Sequence, residues 1–294
     1  MELIRPFVKW AGGKGGLISQ LKNFYPFDLE NGVIERYVEP FIGGGAVLID
    51  ILQKYHVKEA YAFDINKDLI NCYNVIKSDV EDLIEELDKK EKEFLKLEKV
   101  IDVKRASEFI FLNRTCFNGL YRVNKSGKFN VPCGKYKNPT ICDFKNLRNL
   151  SKLIQNVIFE YGDYKKSGEY VDDKTFVYFD PPYRPLSITS GFTSYTKEDF
   201  NDENQKELAK YYCELNNKKA KLMLSNSNPK NTNKEDNFFE DIYKGFNINE
   251  VSAKRMINAN SKGRGEISEL LITNYKETIE CTEENSIMKM VALN

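Results

Sequence analysis

Thr175-Phe-Val-Tyr-Phe-Asp-Pro-Pro-Tyr183 is the stretch on which the reading of this chain turns. The apolar, β-branched and aromatic run Thr175–Phe179 predicts a buried strand. Two prolines cannot continue a ladder, so the strand must stop and the backbone stiffens just past its end. In open α/β sheets, ligands collect outside the carboxyl ends of strands. A carboxylate (Asp180), a rigid carbonyl-presenting corner (Pro181, Pro182) and an aromatic ring (Tyr183) therefore meet at the mouth of a site. That set suits the gripping of a planar, amino-bearing base, with acceptors for the NH2 and a ring to stack on. A strand-end proline turn capped by the Asp is the alternative for these residues taken alone.

Outward from this point, further strand-like runs fall at 35–39, 60–63, 157–161 and 220–224, and two more at 248–253 and 270–273 are close enough to pair antiparallel. A helical segment at 46–55 separates the first two. Strands alternating with helices predict an α/β fold with a mainly parallel, doubly wound sheet and right-handed crossovers. The alternation lapses between 66 and 156, where Val80, Leu83, Ile84 and Leu87 keep a helical period and 109–112 belongs to another helix. The expected organisation is a main domain of residues 1–66 and 157–275, a helical insertion at 67–156 and a tail at 276–294. The polar, Asn-rich stretch 225–237 reads as a mobile loop.

Lys plus Arg and Asp plus Glu balance at 44 each, so net charge alone does not suggest nucleic acid. Distribution does. From 109 to 142 there is no acidic residue, while Arg114, Arg122, Lys125, Lys128, Lys135 and Lys137 fall there. Such a segment is either a footprint for phosphates or a solvated loop. Six cysteines show no C-x-x-C pair, and His56 is the one histidine, a surface residue after a helix. A His-based triad or His-rich metal site is therefore hard to build, and no metal is expected. No apolar run approaches a membrane span and the first residues lack a signal layout, so the expectation is a soluble, cytosolic, reduced protein with no membrane partner.

Gly43, Gly44 and Gly45 follow Glu39-Pro40-Phe41-Ile42, between the first strand and its helix. Glycines there let a ligand approach backbone N–H groups, although a tight structural turn would need them too. Ala46-Val47-Leu48 follow, so the dinucleotide pattern G-x-G-x-x-G is absent, which disfavours a nicotinamide oxidoreductase. Asp64 closes the second strand, about 20 residues downstream, where a ribose-binding acid is expected. Near the N-terminus, Gly13-Lys14 fails the P-loop pattern, because position 8 is Val and position 15 is Gly. Lys14 is left to meet a carboxylate, and Trp10 to pack on a cofactor or in the core.

F-V-K-W-A-G-G-K at 7–14, E-P-F-I-G-G-G at 39–45, D-I-N at 64–66 and D-P-P-Y at 180–183, in that order, resemble the Dam-type DNA adenine-N6 methyltransferases, including members of restriction–modification systems. The resemblance extends through N-R-T-C-F-N-G-L-Y-R at 113–122, F-N-V-P-C-G-K-Y at 129–136, L-S-N-S at 224–227 and 267–275, nearly the whole chain. It implies a class I S-adenosylmethionine-dependent methyltransferase fold with a helical target-recognition insertion, its reading segment at about 109–142. It further implies transfer of a methyl group to N6 of a flipped-out adenine in duplex DNA, within GATC, and pairing of some members with a cognate restriction endonuclease.

By the same resemblance, S-adenosylmethionine falls to Trp10, Lys14, Phe41, Gly43, Gly44, Gly45, Asp64, Asp163 and Asp180, and the target base to Asp180, Pro181, Pro182 and Tyr183. DNA contacts fall to Lys9, Asn118, Leu120, Arg122, Lys125, Lys128, Pro132 and Tyr136. Phe117 stands where some relatives carry Tyr, so stacking is kept and a phenolic hydrogen bond is not. The chemistry agrees with this placement. The amino nitrogen of adenine is a poor nucleophile, because its lone pair is conjugated with the ring. Acceptors at Asp180 and the Pro181 carbonyl would pyramidalise that nitrogen and aim its lone pair. The rivals are an RNA or protein-amide methyltransferase of the same fold, which typically carries Asn before Pro-Pro, and a non-catalytic DNA-binding homologue.

Overall fold

The computed structural model describes residues 3–10, 12–92, 103–122, 124, 129–184, 200–254 and 266–276. Its centre is a seven-stranded sheet of β1 (Arg36–Glu39), β2 (Glu59–Asp64), β3 (Val157–Tyr161), β4 (Thr175–Phe179), β5 (Lys221–Ser227), β6 (Asn247–Lys254) and β7 (Glu266–Thr273). The spatial order is β3-β2-β1-β4-β5-β7-β6. β1 to β5 run parallel, while β7 pairs antiparallel with both β5 and β6. β3 and β4 begin and end where the residue pattern places them, and β7 starts earlier than expected, at Glu266.

All five residues of β4 are buried, as a central strand covered on both faces requires. The pleat sorts them by period two: Phe176 and Tyr178 join one apolar cluster, Val177 and Phe179 the other. The first face is covered by the short α1 (Ile18–Leu21) and α2 (Phe27–Glu30), by α3 (Ala46–Lys54), and by α4 (Lys67–Ser78), α5 (Val80–Lys92), α6 (Val103–Thr115) and α7 (Phe144–Leu153). Leu69, Tyr73, Leu83, Leu87, Phe109, Ile110 and Leu147 share that cluster with Tyr37, Ala60 and Phe159 of the sheet. The second face carries α8 (Asp202–Asn217) and α9 (Phe238–Ile242), through Leu208, Tyr212, Leu215 and Phe239. Helices on both faces make the sheet doubly wound.

The stretch 225–237 is a correction. β5 runs on to Ser227, and Ser225, Asn226, Ser227 and Asn228 are buried. Asn228 then caps the 3₁₀ turn Pro229–Asn231, and Asn231 exchanges hydrogen bonds with Ser268 on β7. These side chains are polar because their partners are inside the protein, so polarity here marks an ordered wall. His56 is exposed, as expected.

The strand order reverses between β1 and β4, where β1 connects outward through β2 and β4 outward through β5. Such a switch point opens a crevice at the carboxyl ends of the strands. Asp64 closes β2, and the glycine turn and Asp180 follow β1 and β4, so all three border that crevice.

Candidate active site

Asp180 leaves β4 beside a cation supplied from the N-terminal segment. Lys14 Nζ lies 2.7 Å from Asp180 Oδ1, with side-chain exposures of 5% and 21%. The same ammonium donates to the Gly12 carbonyl (2.7 Å) and stands 4.5 Å from the centre of the Tyr183 ring. Tyr183 donates its hydroxyl to Glu269 Oε2 at 2.6 Å. Burial pushes the Asp180 carboxyl upward, against the pull of Lys14, and Glu269 adds to the rise. Burial likewise raises the Tyr183 phenol, helped by Asp180 and Glu269. Beneath them Glu39 is buried, accepts from Tyr37 Oη at 2.8 Å and is driven well up by desolvation. Lys14 is thus paired with Asp180, above the buried Glu39 and beside the Tyr183–Glu269 bond.

The glycine turn is shaped by two aromatic neighbours. At Gly43 (φ +44°) a Cβ would meet Trp10 Cδ1 at 2.8 Å, and at Gly45 (φ +69°) it would meet Tyr73 Oη at 2.5 Å. Tyr73 also donates to the Gly43 carbonyl at 3.0 Å. Left-handed backbone together with this crowding excludes side chains, so the turn needs its glycines for its own sake as well as for any ligand. Gly45 then caps α3. Asp64 faces the turn, with Oδ2 accepting from the Gly43 N–H (3.1 Å) and Oδ1 from the Asn66 N–H (2.8 Å). Burial nevertheless raises its carboxyl to about 6. Asn66 in turn caps α4 through the N–H groups of Asp68 and Leu69.

Asp163, at the end of β3, is exposed and caps the 3₁₀ segment Tyr164–Tyr170 through the Lys165 N–H (2.9 Å). Phe41 stacks on Tyr164, centroids 5.2 Å apart. Two residues at this edge are given no role by the sequence pattern. Ile65 and Tyr161, flanking Asp64 in sequence and across the β2–β3 register, leave 54% and 55% of their surface exposed. Glu269 is given none either, since β7 brings it to Tyr183 from 86 residues away.

A third group gathers beyond α6. Asn113, buried in the last turn, accepts from the Lys9 N–H (2.8 Å) and donates to the carbonyls of Lys9 (2.7 Å) and Gly119 (2.9 Å). The 3₁₀ turn Phe117–Gly119 follows, with Asn118 at φ +54°, and Lys9 Cβ lies 2.5 Å from where a Cβ at Gly119 would stand. Phe117 donates its N–H to Pro132 O (2.9 Å) and Gly134 to Thr115 O (2.7 Å), which pairs Cys116 with Cys133. Lys9 Nζ rests 4.1 Å from the centre of the Tyr136 ring. Lys9, Asn118, Pro132 and Tyr136 are thereby brought to one region, with Leu120 half-buried beside them. Arg122 is exposed and turns its Nε–Nη2 edge onto Asn130, donating to Oδ1 (2.8 Å) and to the carbonyl (3.2 Å). Lys125 and Lys128 lie outside the described residues.

Among the described residues no group of three or more His, Cys, Asp or Glu could hold a metal ion, and no helix is long and apolar enough to cross a membrane. Trp10 joins the glycine turn to α6, stacking on Phe109 with centroids 6.3 Å apart.

Residues 10–257 match the family model of the D12 class N6 adenine-specific DNA methyltransferases. The type II methyltransferase M.MjaIII of Methanocaldococcus jannaschii is 53% identical over 293 residues, covering 92% of this chain and 99% of that one. The type II methyltransferase M1.LlaDCHI of Lactococcus lactis is 38% identical, covering 92% and 96%. The DNA adenine methylase of Escherichia coli is 33% identical, covering 92% and 95%. With a family match over most of its length, and a mainly parallel sheet ending in an antiparallel pair as in class I methyltransferases, the chain belongs to the D12 class of N6 adenine-specific DNA methyltransferases.

Proposed function

We propose that this enzyme takes its methyl group from S-adenosylmethionine and delivers it to N6 of an adenine flipped out of duplex DNA, within GATC. One observation carries the reading: Asp64 and Asp180 stand at the ends of β2 and β4, on either side of the glycine turn after β1. The glycine turn and Asp64 would hold the cofactor next to the residues that would grip the base.

The residues fit this cofactor. Asp64, held by two backbone N–H groups and free of any cationic partner among the hydrogen bonds it makes, is an acceptor for ribose hydroxyls. Ile65 and Tyr161 offer exposed apolar walls beside it for a planar base, with Asp163 and Phe41 at the same edge. Trp10 and the backbone of Gly43, Gly44 and Gly45 would line the methionine part. Bound S-adenosylmethionine supplies an electrophilic methyl on a sulfonium.

This chain's part is to present the nucleophile. Asp180 and the Pro181 carbonyl accept the two amino hydrogens of the adenine, and Tyr183 stacks on its ring. Burial pushes the Asp180 carboxyl upward, and the Lys14 ammonium beside it pulls the other way, in favour of an acceptor. Orientation of this kind is worth about 7–11 kcal/mol of the barrier. Flipping costs roughly a few kcal/mol, and stacking returns about 1–3. Lys9, Asn118, Leu120, Pro132 and Tyr136 would meet the duplex, Arg122 would read guanine, and Lys125 and Lys128 would take phosphates. The names of the first two relatives support a protective methylase working beside a cognate restriction endonuclease.

The test is direct. Purified protein is incubated with methyl-labelled S-adenosylmethionine and unmethylated DNA, and the modified base is mapped. N6-methyladenine confined to GATC is expected. Label at another sequence would overturn the site assignment, and label in RNA alone would overturn the substrate.

A further inference from the structure

We propose that Gln205 and Asn226 are positioning residues, a pair of buried amides that hold the backbone at 182–184 so that Asp180 and the Pro181 carbonyl face the base as a fixed pair. The inference rests on the reading of residues 180–183 given above.

The loop after β4 has an unusual need. Pro181 and Pro182 have no N–H, so the loop cannot be held by its own amide donors there. Its fixed points must come from outside. Gln205, on α8, is 0% exposed and donates Nε2 to the Pro182 carbonyl at 3.0 Å. Asn226, on β5, is also 0% exposed and donates Nδ2 to Gln205 Oε1 at 3.1 Å. Its Oδ1 accepts from the N–H groups of Arg184 (3.2 Å) and Ser227 (2.9 Å). Ser227 Oγ completes the set by donating to the Arg184 carbonyl at 2.8 Å. Two neighbouring elements therefore grip the loop at residues 182 and 184.

The sheet itself does not need these amides. Asn226 already pairs through its backbone with Leu270 of β7, and an apolar side chain would fill the same interior. What the amides add is direction. With Pro182 O engaged by Gln205, the acceptor left to face the base beside Asp180 is the Pro181 carbonyl. The Arg184 side chain extends the anchorage outward, with two bonds to Asp202 (2.7 and 3.0 Å), one to Asp236 (2.8 Å) and the Phe238 ring 4.2 Å away. The Asn-rich stretch thus acquires a purpose as the wall against which the base-holding loop is set.

Four variants test this in parallel: Gln205→Met, Asn226→Leu, the double variant, and Asp180→Ala. Single-turnover methyl transfer is measured at saturating DNA and S-adenosylmethionine, with cofactor affinity and thermal melting recorded beside it. Misplacement of a reacting group by about 1 Å can cost roughly 100-fold in rate. The expected result is a roughly 10- to 100-fold slower step for each amide variant, cofactor affinity within about twofold of wild type, and a double variant no slower than the worse single one. A folded Gln205→Met protein with the wild-type single-turnover rate overturns the positioning role. If Asp180→Ala itself turns over normally, the base-holding loop is wrongly identified; an inactive Asp180→Ala beside a fast Gln205→Met sinks the positioning inference alone. Should the amide variants fail to fold, Gln205→Glu keeps the shape of the side chain and loses the Nε2 donor to the Pro182 carbonyl, and an unchanged rate there is equally decisive against it.

Discussion

Asp64 is the residue whose chemistry can be followed by pH. Burial lifts its carboxyl to about 6, while the Gly43 and Asn66 N–H groups pull the other way. An acceptor for ribose hydroxyls must be ionised, and a raised carboxyl is ionised only above its own pKa. Affinity for S-adenosylmethionine should therefore hold above about pH 6 and fall by about tenfold per unit below it. Asp64→Asn should bind more weakly and lose this slope, which isothermal titration at several pH values will show. Arg122 makes a second test. With its Nε–Nη2 edge on Asn130, the other edge of the fork is available for guanine O6 and N7. Losing such a contact costs about 1–3 kcal/mol of discrimination. Arg122→Ala should methylate GATC poorly and one-base variants relatively better, in competition assays on defined duplexes. Equal losses would make Arg122 a contact to the backbone.

Asp64 and Asp180 could be found by reading because each closes a hydrophobic run, and a charge at a strand end has few other reasons to be there. Glu269, Gln205 and Asn226 could not. Each sits inside an element, and its importance comes from a partner on another element, a pairing that period and spacing do not carry.

At the scale of elements, the strands were legible and the polar ends were not. β4 announces itself by an apolar, β-branched and aromatic run closed by Asp180 and two prolines, and β3 by the strand-like run Val157–Tyr161. β5 was cut short by the rule that polar residues end strands. Ser225, Asn226 and Ser227 continue the strand by backbone pairing with β7, and their side chains find partners in Tyr178, Gln205 and Arg184. The glycine turn offers an element-scale prediction. Gly45→Ala places a Cβ 2.5 Å from Tyr73 Oη at φ +69°. Left-handed backbone alone costs about 1–2 kcal/mol for a residue with a Cβ, and the clash adds to it. Chemical denaturation should show a loss of at least that size, and Tyr73→Phe combined with Gly45→Ala should recover the part due to the clash and leave the backbone part.

At the scale of the whole molecule, one N-terminal segment touches three parts of the site. Lys9 reaches Asn113 and Tyr136, Trp10 covers the glycine turn, and Lys14 enters the pocket at Asp180. The motif in this segment was legible as a resemblance, but its role as a common support was not, because its three partners lie on separate elements. Asn113 is the joint between this segment and the turn at 117–119 that is proposed to meet DNA. Asn113→Ala leaves the half-buried carbonyl of Lys9 and the buried one of Gly119 without that donor, at about 1–3 kcal/mol for the buried group. DNA binding should weaken by roughly 10-fold or more, with cofactor affinity unchanged, as fluorescence anisotropy and titration will separate.

The tandem prolines bear on when the enzyme stops. A corner without N–H groups, next to a carboxylate, offers the base acceptors only, so under the proposed reading it is matched to a nitrogen that brings two hydrogens. Once methylated, that nitrogen brings one. The product in the same pose leaves an acceptor unpaired in a buried place, a mismatch of about 1–3 kcal/mol, or roughly 5- to 150-fold. The pocket then favours release of the monomethylated base over a second turnover on it. Nucleoside mass spectrometry after prolonged incubation should find N6-methyladenine without N6,N6-dimethyladenine.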